Sequence, residues 1–378
     1  MKIICKADDC FGCLACVNIC PKKCIDIAYD NQGFIIPNID ENICINCNRC
    51  IKVCPVNNNI TLTSPIEVYA GQMNDYSMAQ QSSSGGMFQI LAKKILEQKG
   101  IVCAAKQEND NKLHHIIIHN EKELTTCLKS KYYQSSTDFT FKDIKKYLSD
   151  GTNVLFCGTP CQVAGLLSFL GKRYENLVTC DLICHGVPSK KIIDKYINDK
   201  EKEYKSKLKE ILFRDKINGW NNMRITLTFE NGKRYSQIAS YDDFYFGFFR
   251  GLYYRKSCYH CPFATESRVS DISLGDFWGI EYTNSKLDSQ KGISVILVNS
   301  QKGKDLLKSI EKSISLERHT LDEAKRLNHN LKAPSQMNPK QDKFYSLLNT
   351  HSLRTAFIRT LTLNYIKFCI KRYIKSII

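Results

Sequence analysis

One cysteine pattern occurs twice near the start of this chain and constrains it more than any other feature. Cys10, Cys13, Cys16 and Cys20 precede Pro21, and Cys44, Cys47, Cys50 and Cys54 precede Pro55. Both runs read C-x2-C-x2-C-x3-C-P, the spacing with which two-cluster ferredoxins hold 4Fe–4S cubes. Three closely spaced thiolates wrap one corner of a cube, and the fourth points away to ligate the other cube. Cys10, Cys13, Cys16 and Cys54 are therefore expected on one cluster, and Cys44, Cys47, Cys50 and Cys20 on the other. Zinc knuckles use C-x2-C pairs rather than triplets ending in Cys-Pro. Residues 1–60 thus read as an α+β ferredoxin-like dicluster domain, with Cys5 and Cys24 outside the pattern as core residues.

The rest of the composition agrees with a metalloprotein. Ten of the nineteen cysteines lie in the first 54 of 378 residues. The odd total and the absence of an apolar leader argue for metal binding rather than a disulfide framework. No run approaches the roughly 20 apolar residues of a spanning helix, so a cytoplasmic protein is expected. The formal charge of +16 counts every cysteine as neutral. Thiolate-held clusters and a bound dinucleotide would offset about half of it. No basic stripe interleaved with aromatics suggests nucleic-acid binding, and "KEKEYKSKLKE" reads as a solvated helix face.

After the linker-like "VNNNITLTSP", the pattern becomes α/β. "EVYAGQ", "IVCAA" and "HHIIIHN" read as strands, and "QSSSGGMFQILAKKILEQKG" as a Ser/Gly loop opening a helix closed by Gly100. "NVLFCGTPCQVAGLLSFLGK" and "LVTCDLICHGVPSKKIIDKYI" are strand–turn–helix units, the second helix started by Pro188. "MRITLTFENGKRYSQIAS" is a hairpin turned at Asn231-Gly232. Ser83, Ser84, Gly85 and Gly86 stand at a helix start, where free N–H groups and the helix dipole favour an anion. A plain N-cap with a flexible lead-in has the same appearance. "KSKYYQSS", with Lys131 and Tyr132, offers cations, aromatics and hydroxyls suited to a flavin and its pyrophosphate, and equally reads as a surface strand. Neither G-x-G-x-x-G nor a P-loop occurs.

Four further cysteines suit a third 4Fe–4S cluster. Cys161 and Cys184 follow successive strands, whose carboxyl ends converge in α/β sheets. Cys258 and Cys261 form a C-x2-C pair before Pro262. A structural zinc held by the same four thiolates is the main rival, and a nucleophilic Cys161 assisted by His185 a weaker one. Cys157 and Cys180, four residues upstream, are expected to point into the sheet core.

The ordered motifs "SSSGGMF", "KSKYYQSS", "CGTPCQVAGL", "DLICHGVPS", "CYHCPFA" and "SDISLGDFWG" resemble the coenzyme F420 hydrogenase/dehydrogenase beta-subunit family, here with a ferredoxin domain fused in front. The resemblance spans roughly residues 1–335. It implies an iron–sulfur flavoprotein, with FAD in the α/β part exchanging hydride with a deazaflavin or another small acceptor. Relatives with this fused layout often accompany polysaccharide-assembly enzymes. The expected architecture is a dicluster domain followed by an α/β flavin-binding domain, divided into residues 66–150 and 151–335, with a helical tail at 336–378. The expected function is oxidoreduction through two clusters, a third cluster and FAD, toward a redox partner protein or small-molecule acceptor. The alternative is a non-catalytic electron-transfer subunit. In the tail, Ile366, Ile370, Tyr373, Ile374 and Ile377 form one helical stripe beside Lys367, Lys371, Arg372 and Lys375. Such a helix packs on its own domain or a partner, or lies on an anionic membrane.

Overall fold

The structure is a computed structural model that describes residues 2–377, the side chains of 376 and 377 lying outside that description. The ferredoxin-type region pairs strand β1 (Ile25–Tyr29) antiparallel with β2 (Ile35–Ile39), Ile25 facing Ile39. Helices Ala15–Ile19 and Arg49–Lys52 carry the middle of each cysteine run. Each begins after a left-handed residue, Leu14 or Asn48, which turns the preceding cysteine loop back on itself.

Thirteen strands are present among the described residues. β3 (Glu67–Met73), β4 (Ile101–Gln107), β5 (Leu113–Ile118), β6 (Val154–Gly158), β7 (Leu177–Leu182), β11 (Ile272–Asp276), β12 (Ser294–Val298) and β13 (Ile314–Arg318) form one eight-stranded sheet. Its order is β13-β3-β12-β11-β7-β6-β4-β5. The central β4, β6, β7 and β11 are parallel neighbours, and their apolar sequences suit burial on both faces. Strands from residues 66–150 and 151–335 interleave in this sheet, so it is a single structural unit. β8 (Leu208–Asp215), β9 (Arg224–Phe229) and β10 (Arg234–Ile238) form a separate antiparallel sheet, with the β9–β10 hairpin turned through Gly232 at φ 80°.

Several local expectations are corrected. "KEKEYKSKLKE" is not one helix: Lys190–Tyr204 stops at the left-handed Lys205, and β8 begins at Leu208. Pro188 lies outside that helix, whose N-cap is Ser189. Lys99, at φ 59°, rather than Gly100 makes the left-handed turn after helix Met87–Glu97.

The ferredoxin region is not a loosely tethered module. Leu14, Val17 and Ile25 share a continuous core with Phe141, Val163, Leu166 and Phe156 from the sheet and its helices. Thr137 Oγ1 donates to the Cys13 carbonyl at 2.9 Å, and Asn18 Nδ2 to the Asp138 carbonyl at 2.8 Å. A Cβ at Gly165 would stand 2.9 Å from Cys13 Sγ, so only glycine lets helix Pro160–Leu170 approach so closely.

The tail also packs, but by an unexpected face. Helix Leu353–Ile377, kinked at Leu361, buries Phe357, Leu361, Tyr365 and Phe368 against Phe246 and its neighbours. Ile366, Ile370 and Ile374 remain exposed. No helix among the described residues is long and apolar enough to cross a membrane.

Candidate redox site

The doubled run folds into two groups of thiols. Cys10, Cys16 and Cys54 lie near enough to Cys13 for each to raise its pKa. Cys20, Cys44, Cys47 and Cys50 line a second small cavity with Lys2, Lys22 and Arg49. Burial holds the Cys13 and Cys16 thiols well above their ordinary range. The first group is enclosed, whereas Cys47 of the second is exposed.

Cys5 and Cys24 belong to the core as expected, and there they also border the two groups. The Cys5 thiol lies beside Cys10 and Cys54, and its interaction with Cys10 lowers the Cys10 pKa to about 6. Cys24 Sγ lies 3.5 Å from Cys20 Sγ. Sequence spacing held no signal for either contact, because both depend on the fold of the loops.

The sheet's parallel strands open at their carboxyl ends onto a cavity of about 320 Å³. Cys161, Cys184, Cys258 and Cys261 all line it. Cys161 lies not in an open turn but in the first turn of helix Pro160–Leu170, behind Thr159 as N-cap and Pro160. Its Sγ is 3.1 Å from Thr159 Oγ1. Burial pushes its pKa up to about 12, and Cys261 and Cys184 add to the rise. Burial likewise lifts Cys184 to about 11 and Cys258 well above its ordinary range, with Cys261 adding to both and Cys184 adding to Cys258. Among the described residues, no three His, Cys, Asp or Glu side chains converge tightly enough to share one metal ion.

The neighbouring cysteines divide. Cys180 is fully buried in the core as expected, but Cys157, opposite it in the sheet, is half-buried and lines the cavity.

The other end of the same cavity is formed by Ser82, Ser83, Ser84, Gly86, Met87 and Phe88 together with Lys129, Ser130, Lys131 and Tyr132. "KSKYYQSS" is therefore not a surface strand. Met87 and Phe88 open helix Met87–Glu97, so their N–H groups have no partner within it. Lys131 Nζ donates to the carbonyls of Cys127 and Leu128 at 2.6 and 2.8 Å and, among the described residues, meets no carboxylate; burial lowers its pKa to about 8. Tyr132 packs edge-on against Tyr245 and Phe248.

Two of the loop residues have other duties. Gly85 faces the sheet: its N–H donates to Ser294 Oγ at 2.9 Å, and a Cβ there would lie 2.2 Å from the Gly71 carbonyl. Ser84 Oγ donates to the Ile293 carbonyl at 2.9 Å. Substitution at Gly85 would disturb strand packing, not a ligand alone.

Arg214, Asp276 and Arg255 were not singled out by sequence. Arg214 from β8 makes a two-pronged ion pair with Asp276 at the end of β11, which also accepts from Trp220 Nε1 at 3.0 Å. Both line the cavity. Arg255 joins the two regions: its buried guanidinium donates to the carbonyls of Cys10 and Ile35 and to Gln134 Oε1. It pulls the pKa of both Cys10 and Cys161 downward, favouring their thiolates, and so stands between the first thiol group and the cavity thiols. Phe11, beside Cys10, lines the cavity and packs on Phe263, next to the Cys258–Cys261 loop.

A dicluster-type domain locked against a sheet whose cavity gathers Cys161, Cys184, Cys258 and Cys261 defines an iron–sulfur electron-transfer protein. Residues 9–58 match the 4Fe-4S dicluster domain. Residues 68–139 match the N-terminal part, and 151–324 the C-terminal part, of the coenzyme F420 hydrogenase/dehydrogenase beta subunit. The chain belongs to that family, whose two parts match about two thirds of it. Comparison with curated proteins finds no match. Among solved structures, a chain of the F420-reducing NiFe hydrogenase complex from Methanosarcina barkeri is similar. It shares 15% identity over 71% of this chain and 90% of that one, with a TM-score of 0.49.

Proposed function

We propose that this protein is an iron–sulfur flavoprotein oxidoreductase that exchanges electrons between a one-electron carrier and a two-electron acceptor. One observation carries the reading. A single cavity contains both the Ser/Lys loops and the four-cysteine set, with the Phe11 loop of the first thiol group in its wall.

The donor chemistry fits the groups required. In each of the three sets, four free thiols stand together with no disulfide. Their mutual repulsion as thiolates is offset only by a cationic core, which removes the protons on coordination. Cys10, Cys13, Cys16 and Cys54 would hold one 4Fe–4S cluster, Cys20, Cys44, Cys47 and Cys50 another, and Cys161, Cys184, Cys258 and Cys261 a third. A structural zinc held by the last set would need all four thiolates about 2.3 Å from one point, and metal analysis separates it from a cube. For FAD, the N–H groups of Met87 and Phe88, the hydroxyl of Ser83 and the cations Lys129 and Lys131 suit a pyrophosphate. Lys131, buried without a carboxylate, gains from an anion beside it. Gly85, Gly86 and Ser84 shape this loop, and Tyr132 provides an aromatic wall. A bound flavin supplies conversion between one- and two-electron chemistry.

The chain's own residues then set the order of transfer. The Cys47 loop is open to a redox partner. The enclosed Cys10 group follows, with Arg255 between it and the cavity thiols, and the acceptor enters the cavity last. Membership of a beta-subunit family supports a partner protein at one end of this path. A deazaflavin is one acceptor of suitable chemistry, and a polysaccharide-assembly setting is another context for the same reaction.

Anaerobic purification should yield about twelve iron atoms and one FAD per chain. Cys161→Ser should lose about four iron atoms, and Cys13→Ser and Cys20→Ser should abolish different EPR signals. Zinc in place of the third iron set, or one signal lost in both latter variants, would overturn the assignment.

A further inference from the structure

The sequence placed Ile366, Ile370, Tyr373, Ile374 and Ile377 on one helical stripe, and the structure shows that this stripe is not the packing face. Beyond the kink at Leu361, Tyr365 and Phe368 face the core, and Arg372 is held by Asp243 at 3.0 Å. Tyr365 OH donates to the same carboxylate at 2.8 Å, which fixes the rotation of the helix about its axis. That rotation turns the opposite side outward. Leu363 is 73% exposed, Ile366 47%, Ile370 53% and Ile374 51%. At about 100° per residue these four fall within roughly a quarter of the circumference. The side chain of Ile377 lies outside the described residues.

Along one flank of this stripe run Lys367, Lys371 and Lys375, all exposed. Among the described residues none of the three is in an ion pair. The whole segment is of one sign: seven Lys or Arg residues and no Asp or Glu follow Asp342. We propose that the helix beyond Leu361 is a membrane-surface anchor. Leu363, Ile366, Ile370 and Ile374 enter the headgroup region of an anionic bilayer, and Lys367, Lys371 and Lys375 meet lipid phosphates.

The charge pattern selects this occupant. A second copy of the chain would cover the apolar stripe but bring two lysine rows of one sign together, with no carboxylate on either helix to offset them. A neutral protein surface would leave the lysine row without a role. An anionic lipid surface satisfies both halves of the helix at once: apolar residues leave water and each lysine adds attraction. The buried Tyr365–Phe368 face at the same time ties the anchor rigidly to the body of the protein. The proposal is independent of the cofactor assignment, because it uses no residue of the redox site.

The test is co-sedimentation of the full chain with vesicles of phosphatidylcholine alone, or of phosphatidylcholine mixed with phosphatidylglycerol. Binding is expected to the mixed vesicles, weaker to the neutral ones, and weakened by salt. Lys367→Glu with Lys371→Glu should reduce affinity by at least fivefold per lysine, roughly. Ile366→Ser with Ile370→Ser should abolish binding. All four positions are exposed, so thermal unfolding of each variant should match the parent and separate lost binding from lost folding. Absence of binding to the mixed vesicles, or lysine variants that bind as tightly as the parent, would overturn the proposal. So would light scattering that reveals a dimer dissociated by the isoleucine substitutions, since the stripe would then belong to a second copy.

Discussion

Replacing Arg255 with glutamine should make the first cluster harder to reduce. The buried guanidinium donates to the carbonyl of Cys10, whose own Sγ is assigned to that cluster, and it favours the charged form of both Cys10 and Cys161. Reduction adds one negative charge beside this fixed positive one. For an assumed separation of about 7 Å and an effective dielectric near 20, the attraction would be about 2.4 kcal/mol. For a one-electron couple that corresponds to roughly 100 mV. Arg255→Gln should therefore lower the midpoint potential of the Cys10 cluster by about that amount, and that of the cavity cluster as well, while the exposed Cys47 cluster moves little. Glutamine keeps a donor for the Ile35 carbonyl, which now accepts from Arg255 at 2.8 Å, so the fold should survive. EPR-monitored redox titration of the parent and the variant measures all three centres. A shift below about 20 mV, a shift upward, or equal shifts at all three would refute the placement of Arg255 between two clusters.

Two other outcomes follow from the geometry. Lys131 has its pKa lowered to about 8 by burial. Between pH 8 and its ordinary value the unfolded chain binds more protons than the folded one, so flavin-free protein should gain stability as pH rises through that window. A bound pyrophosphate favours the protonated amine, so FAD affinity should fall as pH rises above about 8, and Lys131→Met should flatten that profile in fluorescence titrations. Gly165→Ala places a methyl group 2.9 Å from Cys13 Sγ. It should cost about 1–3 kcal/mol in thermal unfolding and reduce iron at the Cys10 set, with the Cys20 set unaffected.

The 4Fe–4S dicluster domain over residues 9–58 was legible in the sequence because the chemistry of its doubled cysteine run is local. Three thiolates on one corner of a cube must be close in the chain, and that requirement writes itself into C-x2-C-x2-C. The strands β3, β4, β6 and β7 and the hairpin at Gly232 were legible for a similar reason, since apolar runs and turn residues act on their immediate neighbours. Gathering Cys161, Cys184 and the Cys258–Cys261 pair required one further inference, that parallel strands converge at their carboxyl ends. All four line the cavity at those ends.

What the sequence withheld depends on contacts between distant segments. Gly85 has the look of a phosphate-loop glycine, yet its place against the Gly71 carbonyl is set by a strand more than ten residues earlier. Cys5 and Cys24 acquire their neighbours only when two loops fold over them, and Arg255 reads as one basic residue among many until it bridges Cys10 and Gln134. The tail shows the division most clearly. Helical periodicity determined that Ile366, Ile370 and Ile374 share a stripe, because 3.6 residues per turn is a property of the backbone alone. Which side of that helix meets the protein was decided by Asp243 and Phe246, more than a hundred residues away, which hold Arg372, Tyr365 and Phe368 and leave the stripe facing outward.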